Sequence, residues 1–135
     1  RRGEVDLVLV GTDRTARNGD VANKIGTYLK ALAARDNGVP FLVALPSPSF
    51  DPAPPDGDSI PIEERAADEV LSVRGRDRSG AVAVVSLYAP GTRAFNPGFD
   101  VTPARLVSGY VTERGVFDAA ALAAALSPEP ETGAS

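Results

Sequence analysis

Two short apolar runs, "VDLVLV" at 5–10 and "PFLVAL" at 40–45, flank a segment with helical spacing, and no other feature constrains the fold of this chain as tightly. The first, rich in valine and closed by Gly11, predicts a strand buried on both faces, hence central in its sheet. From Val21 the apolar positions Val21, Ile25, Tyr28, Leu29 and Leu32 fall on one helical face, and "DNG" at 36–38 supplies the stop. Strand, helix and strand in this order predict a βαβ unit, with parallel strands joined by a right-handed crossover.

Further runs, "DEVLSV" at 68–73 and "AVAVVSLY" at 81–88, predict two more strands. They are joined by "RGRDRSG", where Arg74, Arg76 and Arg78 alternate with turn formers as in a solvated hairpin tip. Thr102-Pro103 has the form of an N-cap followed by proline at the first helical position. Leu106, Val107, Tyr110 and Val111 are then expected on the apolar stripe of a helix that Gly115 ends, with Arg114 near its negative pole. A short alanine-rich helix capped by Asp118 follows, and "SPEPETGAS" at 127–135 is expected to be a disordered tail. The proline-rich stretch "PSPSFDPAPPDGDSIPIEER" at 46–65 cannot be helix or central strand. It is either a flexible excursion or a structured rim over a site.

At 135 residues the chain has the size of one domain and can bury about two thirds of its unfolded surface. Acidic residues outnumber basic ones 18 to 14, for a net charge of -4, and no Lys/Arg block exceeds a pair, which argues against nucleic acid as a partner. Nothing approaches the roughly 20 apolar residues that span a bilayer, and no signal-peptide pattern is present, so no membrane partner is expected and a soluble, cytoplasmic protein is. The sequence has no cysteine and no histidine, which removes disulfides, Cys-His and Ser-His-Asp nucleophile systems and zinc sites of the usual kind from this stretch. It also lacks methionine and opens on Arg1-Arg2, as expected of a piece of a longer product.

In parallel α/β sheets ligands collect beyond the carboxyl ends of the strands. Asp13 lies just past such an end; it is either a general acid or base or a turn residue bonding its own backbone. Asn18-Gly19-Asp20 forms a tight turn that could open the following helix, whose free N–H groups would attract phosphate, with Lys24 adding a point charge and Asn23 a donor to a sugar hydroxyl. Solvation, polar filling and dipole complementarity account for the same residues. Neither a P-loop nor a G-x-G-x-x-G order is present. Asn96, Asp100 and Thr102 could line a pocket mouth, or serve turns and caps.

Four segments in order, "GTDRTARNGDVANKIGT", "VPFLVALPSPSFD", "IPIEER" and "NPGFDVTPARLVSGYVTERG", resemble the methylthioribose-1-phosphate isomerases of methionine salvage, over nearly everything from Gly3 to about Val116. That family is similar in fold to ribose-1,5-bisphosphate isomerases and to the regulatory subunits of the eukaryotic initiation exchange factor. The resemblance implies an α/β, Rossmann-like, mostly parallel sheet with flanking helices, forming a portion of a larger domain. Residues 1–126 would be a C-terminal catalytic subdomain and 127–135 its tail. It implies conversion of 5-methylthio-α-D-ribose 1-phosphate to 5-methylthio-D-ribulose 1-phosphate by a homodimer, without metal or organic cofactor. Asp13 takes the role of the catalytic acid, working with a cysteine upstream of this stretch, and Asn23 and Lys24 that of the substrate-binding pair. "GTDR" stands where the family usually has G-A-D-R, and "NPGF" where it has N-P-A-F. Two alternatives follow from the kinship: a non-catalytic regulatory module of the exchange-factor type, and an isomerase of ribose 1,5-bisphosphate.

Overall fold

The computed structural model describes residues 1–127 and separates them into two compact units, residues 1–61 with 99 onward, and Ile62–Gly98. In the first unit β1 (Val8–Val10) and β4 (Phe41–Ala44) pair in parallel, with α1 (Thr27–Asp36) between them in sequence, so the expected βαβ unit is present. Helix α1 stops where predicted, and Gly38 takes a φ of +66°. Strand β4 also pairs in parallel with β8 (Gly109–Thr112), which turns back antiparallel into β9 (Gly115–Phe117), for a mixed sheet of order β1-β4-β8-β9. A second, antiparallel sheet joins β2 (Arg14–Thr15), β3 (Val21–Lys24) and β7 (Phe99–Thr102).

Phe41, Val43 and Tyr110 on one face of the mixed sheet pack with Ala31 and Ala34 of α1 and with Leu122 of α3 (Ala119–Leu126), together with Val21, Leu45, Phe50 and Leu106. Alternation sends Leu9, Leu42, Val111 and Val116 to the other face. There Leu9 is 58% and Val116 67% exposed. Strand β1 is thus an edge strand, not the doubly buried central one its composition predicts: among the described residues nothing pairs with its outer side or covers Leu9.

Two predicted helices are partly or wholly strand. Val21–Lys24 is β3, because Val21 and Ala22 pair with Thr15 and Arg14 on one side and with Thr102 and Val101 on the other. The helix begins only at Thr27, so the shared spacing of Val21 and Ile25 with the helical stripe was accidental. The segment after Pro103 forms a 3-10 turn, Ala104–Leu106, and then β8 and β9. Thr102 caps nothing; it is the last residue of β7. "TERG" is the turn of the β8–β9 hairpin, where Gly115 has a φ of +135°, and Arg114 donates to the carbonyl of Ala125 in the last turn of α3 at 3.0 Å. A basic side chain does meet a helix C-terminus there, but that of the following helix. The Asp118 cap of α3 is as predicted, its Oδ1 accepting from Ala121 N–H at 2.8 Å.

The second unit contains α2 (Asp68–Leu71), β5 (Ser72–Arg76) and β6 (Val82–Ser86), the strands forming an antiparallel hairpin. "DEVL" is therefore helix rather than strand, with two acidic residues in its first turn. The hairpin tip is shorter than predicted, since Arg74 and Arg76 belong to β5. Apart from Ser127, the expected tail lies outside the described residues. No described helix is long and apolar enough to cross a membrane.

Candidate functional site

The parallel pairing aligns the carboxyl ends of β1, β4 and β8, and the segments leaving them carry Asp13, Ser47 and Glu113. Asp13 is exposed, and its backbone N–H donates to Ala22 O at 2.9 Å, which sets it against β3, the strand bearing Asn23 and Lys24. A cleft of about 380 Å³ is lined by Asp13, Arg14, Pro48, Ser49, Phe50 and Asp51; Asn23 and Lys24 do not line it. Its far wall is the proline-rich loop, fastened by a bridge between Thr15 and Phe50, by Asp51 N–H to Thr15 O at 2.9 Å and by Arg17 N–H to Pro54 O at 3.1 Å. An Arg14–Asp51 ion pair at 3.4 Å spans the same contact, although both side chains are too exposed for it to contribute much stability. The loop is a structured rim of the cleft rather than a free excursion.

Asn23 and Lys24 end β3. The Asn23 carboxamide Nδ2 donates to Thr27 Oγ1 at 3.1 Å, and Thr27 Oγ1 donates to the Lys24 carbonyl at 2.7 Å. The Lys24 side chain is exposed and its ammonium engages no other described residue.

The anion seat expected at Asn18-Gly19-Asp20 is not there. Those residues form the turn between β2 and β3, with Gly19 at a φ of +91°, and the first helix starts further on, behind Gly26. At that start Asp100 of β7 already stands in the place of an anion: its Oδ2 accepts from Gly26 N–H at 2.6 Å and its Oδ1 from Tyr28 N–H at 3.1 Å. Asp100 is thus a cap, but of a helix more than seventy residues earlier. Thr102 is fully buried with its hydroxyl unpartnered, and Asn96, in the other unit, donates to Ala66 O at 2.9 Å. The pocket-mouth role considered for these three residues gives way to structural ones.

Asp20, expected as an N-cap or a first-turn acid, instead binds backbone N–H groups of two distant segments and a side-chain amide of its own turn. It accepts from Gly57 N–H at 3.0 Å, from Ala104 N–H at 2.8 Å and from Asn18 Nδ2 at 2.9 Å. Burial opposes its ionisation, but these hydrogen bonds outweigh burial and hold its carboxyl below the ordinary value. At the strand ends, Glu113 accepts from both the hydroxyl and the N–H of Ser47, and the hydroxyl contact chiefly holds the Glu113 carboxyl low. No local pattern announces a pairing across 66 positions. Among the described residues no group of three acidic side chains is placed to hold a metal ion.

The chain is thus α/β, with an exposed carboxylate beyond a parallel strand end and an Asn-Lys pair on the strand beside it, the place where ligands of parallel α/β sheets collect. Residues 2–119 match the Initiation factor 2 subunit family, and the chain belongs to that family. Within it the chain is 64% identical over 120 residues to the methylthioribose-1-phosphate isomerase of Sinorhizobium medicae, covering 88% of this chain and 33% of that protein. Among solved structures it is similar to 5-methylthioribose 1-phosphate isomerase from Pyrococcus horikoshii OT3, with a TM-score of 0.76 and 41% identity over 93% of this chain and 33% of that one. It is also similar to the delta subunit of translation initiation factor eIF-2B from A. fulgidus, with a TM-score of 0.72 and 34% identity over 87% of this chain and 31% of that one. The chain spans about a third of the length of the curated relatives it matches.

Proposed function

We propose that the chain is the C-terminal part of a methylthioribose-1-phosphate isomerase of methionine salvage, acting in the cytoplasm as a homodimer on 5-methylthio-α-D-ribose 1-phosphate. The observation that carries this is the 64% identity to an isomerase over 88% of this chain, together with Asp13 at the carboxyl end of β1 beside the Asn23-Lys24 strand. The chemistry suits that arrangement. With phosphate on the anomeric oxygen the ring cannot open as a free sugar does, so a positioned acid must protonate the ring oxygen while a second group moves hydrogen between C2 and C1. Asp13 is that acid, Asn23 and Lys24 hold the sugar phosphate, and the second group is a cysteine carried by a preceding segment or chain. Asp13 is exposed here; that segment also supplies the cover that excludes water from the reactive intermediate.

Residues 1–126 form, in this reading, a Rossmann-like catalytic subdomain completed by further elements. The uncovered face at Leu9 and Val116 and the free edge of β1 support such a completion. The test is Asp13→Asn in the complete enzyme. Loss of about 10²–10⁴-fold in kcat with an unchanged melting temperature is expected, by the usual contribution of a general acid; undiminished turnover refutes the assignment. The likeness to the A. fulgidus delta subunit favours one second reading, a non-catalytic regulatory module. Absence of turnover by the wild-type complete protein would select it. Competition between the methylthio substrate and ribose 1,5-bisphosphate separates the remaining isomerase alternative.

A further inference from the structure

Thr27 is 4% exposed and sits at the first position of α1, where its hydroxyl has two neighbours, the Lys24 carbonyl at 2.7 Å and the Asn23 carboxamide at 3.1 Å. A hydroxyl has one hydrogen to donate, and a carbonyl can only accept. The Thr27 hydrogen is therefore committed to Lys24 O, and what remains toward Asn23 is a lone pair. Only the amide NH2 of Asn23 satisfies a lone pair, so the two ends of the carboxamide are distinguished by chemistry rather than by shape. Lys24 and Thr27 are held in turn, because Gly26, between them, and Tyr28, just beyond, both donate their N–H to Asp100.

We propose that Thr27 is a positioning residue that sets the Asn23 carboxamide with Nδ2 inward and Oδ1 free, so that Asn23 acts toward ligand as an acceptor and reads a sugar hydroxyl, leaving the phosphate to the Lys24 ammonium. This reverses the donor role its composition first suggests, and it rests on the proposed sugar-phosphate site. Asp100 strengthens the division of labour, because a carboxylate at the start of α1 repels a phosphate from that end of the helix.

The test uses the complete protein and the variants Thr27→Val, Thr27→Ser and Thr27→Ala, with methylthioribose 1-phosphate binding measured by titration calorimetry, KM and kcat by turnover, and inorganic phosphate as competitor. Thr27→Val keeps the shape and removes the hydroxyl, and Thr27→Ala serves if valine does not fold. The expected result is an approximately tenfold weaker Kd and higher KM, the size of one lost hydrogen bond. Thr27→Ser should restore both, kcat should hold within about twofold, and the inhibition constant of phosphate should stay at the wild-type value. Sugar-phosphate affinity unchanged in Thr27→Val and Thr27→Ala overturns the proposal, and so does a phosphate constant that weakens in step with it. Wild-type protein that binds the sugar phosphate without converting it refutes the isomerase reading alone, since the affinity ratio between variants still tests Thr27.

Discussion

The Asp20 carboxylate joins the turn before β3 to the proline-rich loop through Gly57 and to the 104–106 turn through Ala104. Its folded carboxyl is more acidic than the unfolded one, whose ordinary value is 3.8. The stability it contributes is therefore complete above that value and is lost as pH falls through the lower folded value. Replacement by asparagine keeps one acceptor oxygen but removes the titration. Thermal midpoints followed from pH 7 to pH 2 should fall less steeply in acid for Asp20→Asn than for wild type; parallel curves would show that the carboxylate does not couple to folding. Thr102 makes the opposite case, a buried hydroxyl with no partner. Thr102→Val keeps the β-branched shape that β7 favours and removes the orphan, and a gain of about 1 kcal/mol is expected from the desolvation cost of an unpaired hydroxyl. Urea midpoints for the two proteins measure it, and destabilisation would mean that the hydroxyl is satisfied.

Among the elements, the 3-10 turn Gly57–Ser59 depends on the absence of a side chain. A Cβ on Gly57 would run into Val101 Cγ1 and come within 2.9 Å of Asp20 Cβ, so Gly57→Ala must push β7 or the rim loop aside. Overpacking of this kind costs about 1–3 kcal/mol. Chemical denaturation reads that loss, and a variant of wild-type stability would show that the loop yields freely. Helix α3 combines alanine-rich propensity and the buried Leu122 with one side-chain cap: Asp118→Ala should cost about 1 kcal/mol, checked in the same way. The β8–β9 hairpin explains why a helix was expected after Pro103. Leu106, Val107, Tyr110 and Val111 satisfy a 3.6-residue period, yet Tyr110 and Val111 pair with Val43 and Ala44, and burial of Tyr110 in the core outweighs the local pattern.

At the scale of the whole molecule, the two units differ in how much they bury. Val43 and Tyr110 in the mixed sheet are essentially inaccessible, whereas Val82, Val84 and Val85 of β6 are each more than half exposed. Amides of the β5–β6 hairpin should therefore exchange with solvent faster than those paired between β4 and β8; equal protection would show one cooperative unit. The sequence alone was enough for the βαβ unit, the stop of α1, the Asp118 cap and the place of Asp13 beyond a strand end, because each is a pattern contained in a few consecutive residues. For Asn23 the sequence does not give the direction of the amide, which Thr27 settles through a hydroxyl with a single hydrogen. Only the tertiary structure decided that Val21–Lys24 pairs with β7, that Asp100 caps α1 and that Asp20 binds Ala104, for these contacts join residues 72 to 84 positions apart and leave no trace in local periodicity. A carboxylate reads the same in a sequence whether it awaits a ligand or already holds a backbone N–H, and the difference is made by which distant segment folds against it.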